Sequence, residues 1–263
     1  MEIVTSRDGT PIAFDRTGGG PPVVIVVGAF NDRSRGEPLA RELAPRFTVY
    51  TYDRRARGDS GDTPPYAADR EVEDLAALIA EVGAPVSVLG YSSGAVIALR
   101  AAATGLPITR LALFEPPAVT GDGSARSPSD LAARMSDLIG AGRPGDAVSL
   151  FQAEGVGLPA EVIAQIRQAP FWPALEAMAQ SAVYDASLTA EPVPAQVLAA
   201  VTVPTLVLSG DATWPRLVDA AAGAAGALPD AEHRVVPGTD HDMVPEAVGP
   251  VLAEFFAAAE RAR

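Results

Sequence analysis

Val86-Ser87-Val88-Leu89-Gly90-Tyr91-Ser92-Ser93-Gly94-Ala95-Val96-Ile97-Ala98-Leu99 is the stretch whose reading decides the fold. A β-branched apolar run breaks at a glycine, passes through a serine and resumes after a second glycine as an alanine-rich segment without proline. Such a run reads as a buried strand, a sharp turn and a helix. Within it Gly90, Ser92 and Gly94 satisfy Gly-x-Ser-x-Gly, in which small neighbours let strand and helix approach and leave the serine at a strained apex. The hydroxyl of Ser92 then stands at a helix start, among unpaired backbone N–H groups.

Outward from this turn the same alternation repeats. Glu2 to Thr17 reads as two short strands joined at Asp8-Gly9, a hairpin signal. Val23 to Val27 is a continuous apolar run of the kind covered on both faces, and it ends at Gly28-Ala29-Phe30-Asn31. A glycine there implies backbone that approaches something closely. A helix over Glu37–Ala44 and a strand over Phe47–Tyr52 follow, then the charge- and glycine-rich loop Asp53–Gly61, read as an Arg/Asp hydrogen-bonded scaffold. Asp69–Val82 carries an apolar helical stripe, with Asp69 as its cap. After the helix that runs to Thr104, Leu111–Phe114 is a strand closing on Glu115.

Strand, helix, strand, helix, strand builds a mostly parallel, doubly wound α/β sheet flanked by helices. Ligands bind beyond the carboxyl ends of such strands, so the loops at Gly28, Asp53, Ser92 and Glu115 share one rim. From residue 119 to 200 the pattern changes to amphipathic helical stretches around Ser129–Ile139, Pro144–Phe151, Pro159–Gln168 and Pro173–Ala182. This segment reads as an inserted helical cap, dividing the core into 1–118 and 201–263. Met135, Phe171, Trp172 and Met178 belong to it, either as its packing core or within reach of the rim. The strand Pro204–Ser209 ends at Gly210-Asp211, a helix covers Trp214–Leu228, Glu232–Val236 leads to Pro237-Gly238-Thr239-Asp240-His241-Asp242, and a helix from about Glu246 to Ala259 closes the chain.

Composition narrows the chemistry. With 33 acidic against 20 basic side chains, the net charge of −13 argues against binding nucleic acid, which calls for a basic stripe. There is no cysteine, hence no disulfide, thiolate metal site or cysteine nucleophile, and no lysine for Schiff-base chemistry. No apolar run approaches the ~20 residues of a membrane span. The expectation is a cytoplasmic protein acting on a small molecule, away from membranes, with no cofactor and no metal.

Only two histidines exist. His233 falls inside a strand between Glu232 and Arg234 and reads as an edge residue, whereas His241 falls in a rim loop and is the candidate base. Asp211, after the preceding strand, is placed to orient an imidazole. Ser92, Asp211 and His241 each follow a separate strand, in the chain order expected of a serine triad on this kind of sheet.

On Gly90-Tyr91-Ser92-Ser93-Gly94, Ser209-Gly210-Asp211 and Gly238-Thr239-Asp240-His241, with the Asp53–Gly61 loop, the chain resembles the α/β-hydrolase fold superfamily, in its serine-hydrolase and haloperoxidase-like esterase branch. The resemblance covers nearly the whole sequence. It implies Ser92 as nucleophile, His241 as general base and then acid, Asp211 as orienting acid, and an oxyanion hole from the backbone N–H of Ser93 with that of Ala29 or Phe30. Two features depart from the pattern: Val27-Gly28 stands where His-Gly is common, and Glu115 ends a strand where some members place the acid. Asp211 is taken as the acid and Glu115 as structural. The implied activity is cleavage of an ester-like bond in a small apolar substrate. Lactone, C–C or perhydrolase chemistry, or a ligand receptor that keeps the triad, are the alternatives.

Overall fold

Eight strands form one sheet in the computed structural model, in the order β1-β2-β4-β3-β5-β6-β7-β8. The structure describes residues 1–117, 119–120 and 126–258. The expected boundary at 118 and the expected helix end at Ala259 therefore lie outside the described residues.

The strands β1 (Glu2–Thr5), β2 (Pro11–Gly18), β3 (Pro22–Val26), β4 (Thr48–Tyr52), β5 (Val86–Tyr91), β6 (Ile108–Phe114), β7 (Thr205–Gly210) and β8 (Ala231–Val236) fall where apolar, β-branched runs lie. β1 pairs antiparallel with β2 and β2 with β4, and every later pair is parallel. The hairpin between β1 and β2 turns at Gly9, whose φ of 90° suits glycine.

Helices connect these strands on both faces. α1 (Glu37–Leu43) lies between β3 and β4, α2 (Ala68–Val82) between β4 and β5, and α3 (Ser93–Ala103) between β5 and β6. Among the described residues only helices separate β6 from β7: α4 (Leu131–Gly140), α5 (Pro144–Leu150) continuing as a π-helical turn over Phe151–Val156, α6 (Ala160–Ile166), α7 (Trp172–Ala177), α8 (Ala179–Leu188) and α9 (Ala195–Ala200). α10 (Pro215–Ala227) and α11 (Pro245–Ala257) complete the chain. One apolar core packs α2, α3 and α10 on the sheet through Leu75, Leu99 and Ala221, and a second packs α1 and α11 on the other face through Leu39, Leu43 and Leu252.

Two local expectations need correction. Asp69 does not cap α2: the cap residue is Ala67, with no side-chain bond, and Asp69 lies in the first turn, where its charge meets the positive end of the helix dipole. The single helix expected over Pro173–Ala182 is two, α7 and α8, separated at Met178. Both are short and draw their stability from packing, so periodicity alone does not mark the break.

The inserted helices are fastened to the sheet by buried charge. Asp185, on α8, is fully buried. Its Oδ1 accepts from Arg54 at 2.8 Å and from the Ser93 hydroxyl at 2.7 Å, and its Oδ2 accepts from Arg57 at 2.5 Å. Arg54 in turn holds both oxygens of Glu71 on α2 at 2.6 Å. Arg57 also donates to the carbonyls of Gly28 and Asn31. The Tyr66 and Tyr184 rings stack at 4.0 Å beside this network. Burial opposes ionisation of Asp185, but Arg54, Arg57 and the Ser93 hydroxyl outweigh it and hold the carboxyl below the usual aspartate range.

Asp185→Asn leaves two buried guanidinium groups short of one counter-charge, and the expected loss is about 3 kcal/mol of unfolding free energy at pH 7 in urea titrations. Because the folded-state value is depressed, the contribution of Asp185 is present above the unfolded value of about 3.9 and lost as pH falls through the folded one. The gap between wild type and Asp185→Asn should therefore narrow on acidification below that value.

Candidate active site

Four strand ends meet at the carboxyl rim of the sheet. Ser92 follows β5 and precedes α3, with φ 54° and ψ −125°, a conformation that L residues rarely hold. Its neighbours make the turn possible. A Cβ on Gly90 would lie 2.4 Å from the Ala95 Cα, and one on Gly94 would lie 2.3 Å from the Val26 carbonyl oxygen. Gly28, after β3, is equally constrained: a Cβ there would come within 2.8 Å of the Ser92 Cβ. The close approach expected of Gly28 is thus to the serine itself.

Strain gathers around this point. Phe30, Ser92, Glu115 and Met243 all have positive φ, at 55°, 54°, 46° and 57°. Each such residue costs roughly 1–3 kcal/mol, and clusters of them mark functional sites. Here the four stand after β3, after β5, after β6 and two residues beyond His241.

His241 lies in the loop after β8, its ring between Tyr91 and Trp214 with centroids 5.3 and 5.6 Å away. Its Nδ1 is 2.5 Å from Oε2 of Glu115. Glu115 is fully buried. Its Oε1 accepts from the Gly210 N–H and its Oε2 from the Thr213 hydroxyl, both at 2.9 Å, so three donors fix the carboxylate. Asp211 is elsewhere: it is exposed, and its Oδ1 accepts from the Gly238 N–H at 2.9 Å. The expectation that Asp211 partners His241 is corrected: the carboxylate against His241 is that of Glu115. Gly210 ends β7 with its N–H directed at Glu115, whereas the Asp211 carboxylate is engaged by the Gly238 N–H.

His233 sits on β8, with its Nε2 2.9 Å from the Ser209 hydroxyl. Burial pushes its pKa down. It lies away from the rim, as an edge residue should.

Ser92 and His241 line one cavity of about 360 Å³, together with Ala29, Phe30 and Ser93. Its apolar wall comes from Phe151, Val156, Trp214 and Leu217. Met135 is buried in the packing of α4, α5 and α8, Trp172 packs on Val148, and neither they nor Phe171 and Met178 line this cavity. Sequence reading missed Phe151, Trp214 and Leu217 as wall residues, because no periodicity says which helix ends turn inward. The scaffold reading of Asp53–Gly61 holds: Arg33 meets Asp53, and Arg55 grips Asp74 at 2.8 and 2.7 Å.

Comparison with known proteins bears on the fold and the family. A solved alpha/beta hydrolase from Sphaerobacter thermophilus superposes with a TM-score of 0.89 at 49% identity, over 97% of this chain and 100% of that one. A thermophilic esterase from Thermogutta terrifontis superposes at 0.77 over 98% of each chain; at 24% identity it shows the fold alone. An N-formylmaleamate deformylase from Pseudomonas putida is 36% identical over 131 residues, 48% of each protein. The matched region spans about half or less of the length of the curated relatives. No helix among the described residues is long and apolar enough to cross a membrane. A family profile described as the alpha/beta hydrolase family matches residues 23–254, and with the sheet order and the serine turn already in place the chain belongs to that family.

Proposed function

We propose that the protein is a serine hydrolase that cleaves an ester-like bond in a small substrate through an acyl-enzyme. The observation that carries this reading is the 2.5 Å contact of His241 Nδ1 with buried Glu115, on an imidazole that shares its cavity with Ser92. A carboxylate on Nδ1 fixes the tautomer whose Nε2 is free to accept a proton. Ser92 attacks the substrate carbonyl while His241 takes its proton; the proton then passes to the leaving alkoxide. Water deprotonated by His241 releases the acid and restores Ser92.

Oxyanion stabilisation is assigned to the N–H groups of Ser93 and Ala29. Ser93 is the first residue of α3, where N–H groups have no partner within the helix. For Ala29 the support is the peptide plane: the Gly28 carbonyl is held by buried Arg57, and across a trans peptide the Ala29 N–H points the opposite way. Phe30 contributes its ring instead, edge-on to Phe151 at 5.4 Å. Two N–H donors placed beforehand stabilise the developing charge without reorganisation, each worth about 3 kcal/mol in related sites.

Ser92→Ala is expected to abolish both p-nitrophenyl acetate hydrolysis and labelling by a fluorophosphonate; retained labelling would refute Ser92 as nucleophile. Glu115→Gln should lower kcat on the order of 10⁴-fold, the scale of a mis-set histidine tautomer, whereas Asp211→Asn should stay within about threefold. The reverse ranking in steady-state kinetics would return the orienting role to Asp211.

A further inference from the structure

Among the charged side chains that line the cavity, the acids and the bases are treated differently. Glu154 has both oxygens bound by Arg134 at 2.6 Å, and Asp242 is held by Arg35 at 2.8 Å. Each carboxylate is therefore matched by an arginine that does not line the cavity. Arg126 and Arg216 also line it, and neither forms an ion pair with a carboxylate among the described residues. Two guanidinium groups with no carboxylate partner among the described residues thus line the cavity that holds Ser92. Arg33, Arg54, Arg55 and Arg57, by contrast, each reach a carboxylate.

Arg216 is held through its side chain, and Arg126 adjoins an anchored stretch of backbone. Arg216 donates to the Val156 carbonyl and lies over the Trp214 ring at 5.3 Å, and that same ring packs on His241. One indole thus neighbours both the guanidinium and the imidazole. Arg126 precedes Ser127, whose N–H donates to the Thr189 carbonyl at 3.1 Å and whose hydroxyl meets the Thr189 hydroxyl at 2.8 Å, at the end of α8. The Arg126 Nε is buried with no hydrogen-bond partner. A guanidinium has five donors, so Arg216 with a single acceptor and Arg126 with none among the described residues retain most of their capacity for a ligand.

We propose that Arg126 and Arg216 form a carboxylate-binding subsite, and that the substrate is an ester bearing a second, ionised carboxyl group held there while its scissile carbonyl lies at Ser92. This rests on the serine-hydrolase reading and adds the substrate class. The planar fork of arginine matches a carboxylate in a bidentate manner. A singly charged carboxylate suits the cavity better than a phosphate, because Glu154 and Asp242, which also line it, repel a dianion more strongly. The apolar wall of Phe151, Val156 and Leu217 takes the chain between the two ends.

Two esters that differ only at the distal end test the subsite: mono(p-nitrophenyl) glutarate, with a terminal carboxylate, and p-nitrophenyl pentanoate, with a terminal methyl. Wild type is expected to prefer the glutarate by at least about tenfold in kcat/KM, with the preference shrinking as salt rises. Arg126→Gln, and independently Arg216→Gln, should reduce that preference about tenfold, chiefly through KM for the glutarate. A wild-type preference for the pentanoate, or an equal loss on both esters in the variants, would overturn the subsite. Calorimetric titration of glutarate into the Ser92→Ala protein separates the two proposals. Binding that disappears on adding Arg126→Gln supports the subsite even if wild type hydrolyses neither ester, an outcome that would fall on the serine mechanism alone. Absence of glutarate binding to Ser92→Ala would overturn the subsite while leaving Ser92 chemistry standing.

Discussion

A single buried carboxylate organises the region beneath the cavity. Asp185 comes from α8, between β6 and β7, yet its partners belong to the sheet and its loops: Arg54, Arg57 and the Ser93 hydroxyl. Through Arg57 it reaches the carbonyls of Gly28 and Asn31, and through Ser93 it reaches the first turn of α3. The two backbone segments assigned to oxyanion stabilisation are thus tied to one group that the inserted helices supply. Charges buried in a low dielectric must be matched by partners of fixed geometry, because an unmatched one costs several kcal/mol. The position of α8 and the shape of the turn at Ser92 therefore constrain each other.

Above this network the site stores backbone strain. Positive φ at Phe30, Ser92, Glu115 and Met243 re-aims the chain at four strand-end loops, and glycine at positions 28, 90 and 94 removes the Cβ atoms that would keep those ends apart. Neither feature stabilises the fold. Both are sustained by the apolar layers on the two faces of the sheet, where β3, β5 and β6 are buried almost throughout. A rigid, fully covered sheet fixes the strand ends, and the ends in turn fix Ser92, Glu115 and His241 with little freedom left to their side chains.

Much of this was legible residue by residue. The apolar runs at Val23, Val86 and Thr205, the hairpin glycine at position 9 and the glycine-flanked serine at 92 each carry a local signal, and each strand lies within a few residues of where those signals put it. Asp69 shows the limit of local reading: a good capping residue two positions too far along cannot cap, and the chain geometry chose Ala67. The break between α7 and α8 shows another, since short helices are set by what they pack against. Asp185 carried no local signal at all, because an aspartate in an amphipathic helix reads as a solvated face until the arginines that reach it are known.

The sequence by itself determined the alternation of strands and helices, the doubly wound sheet, the serine turn and the position of His241, rather than His233, at the rim, because these depend on periodicity, on glycine and on which loops follow strands. The tertiary structure alone decided which acid meets His241. Asp211 and Glu115 both follow parallel strands and both lie between Ser92 and His241, so chain order does not separate them. The contact, however, depends on where each side chain points: β7 ends with the Gly210 N–H turned toward Glu115, while Asp211 turns outward to the Gly238 N–H. The direction of a side chain at a strand end is set by register and by the neighbouring strand, neither of which is written in the spacing of residues along the chain.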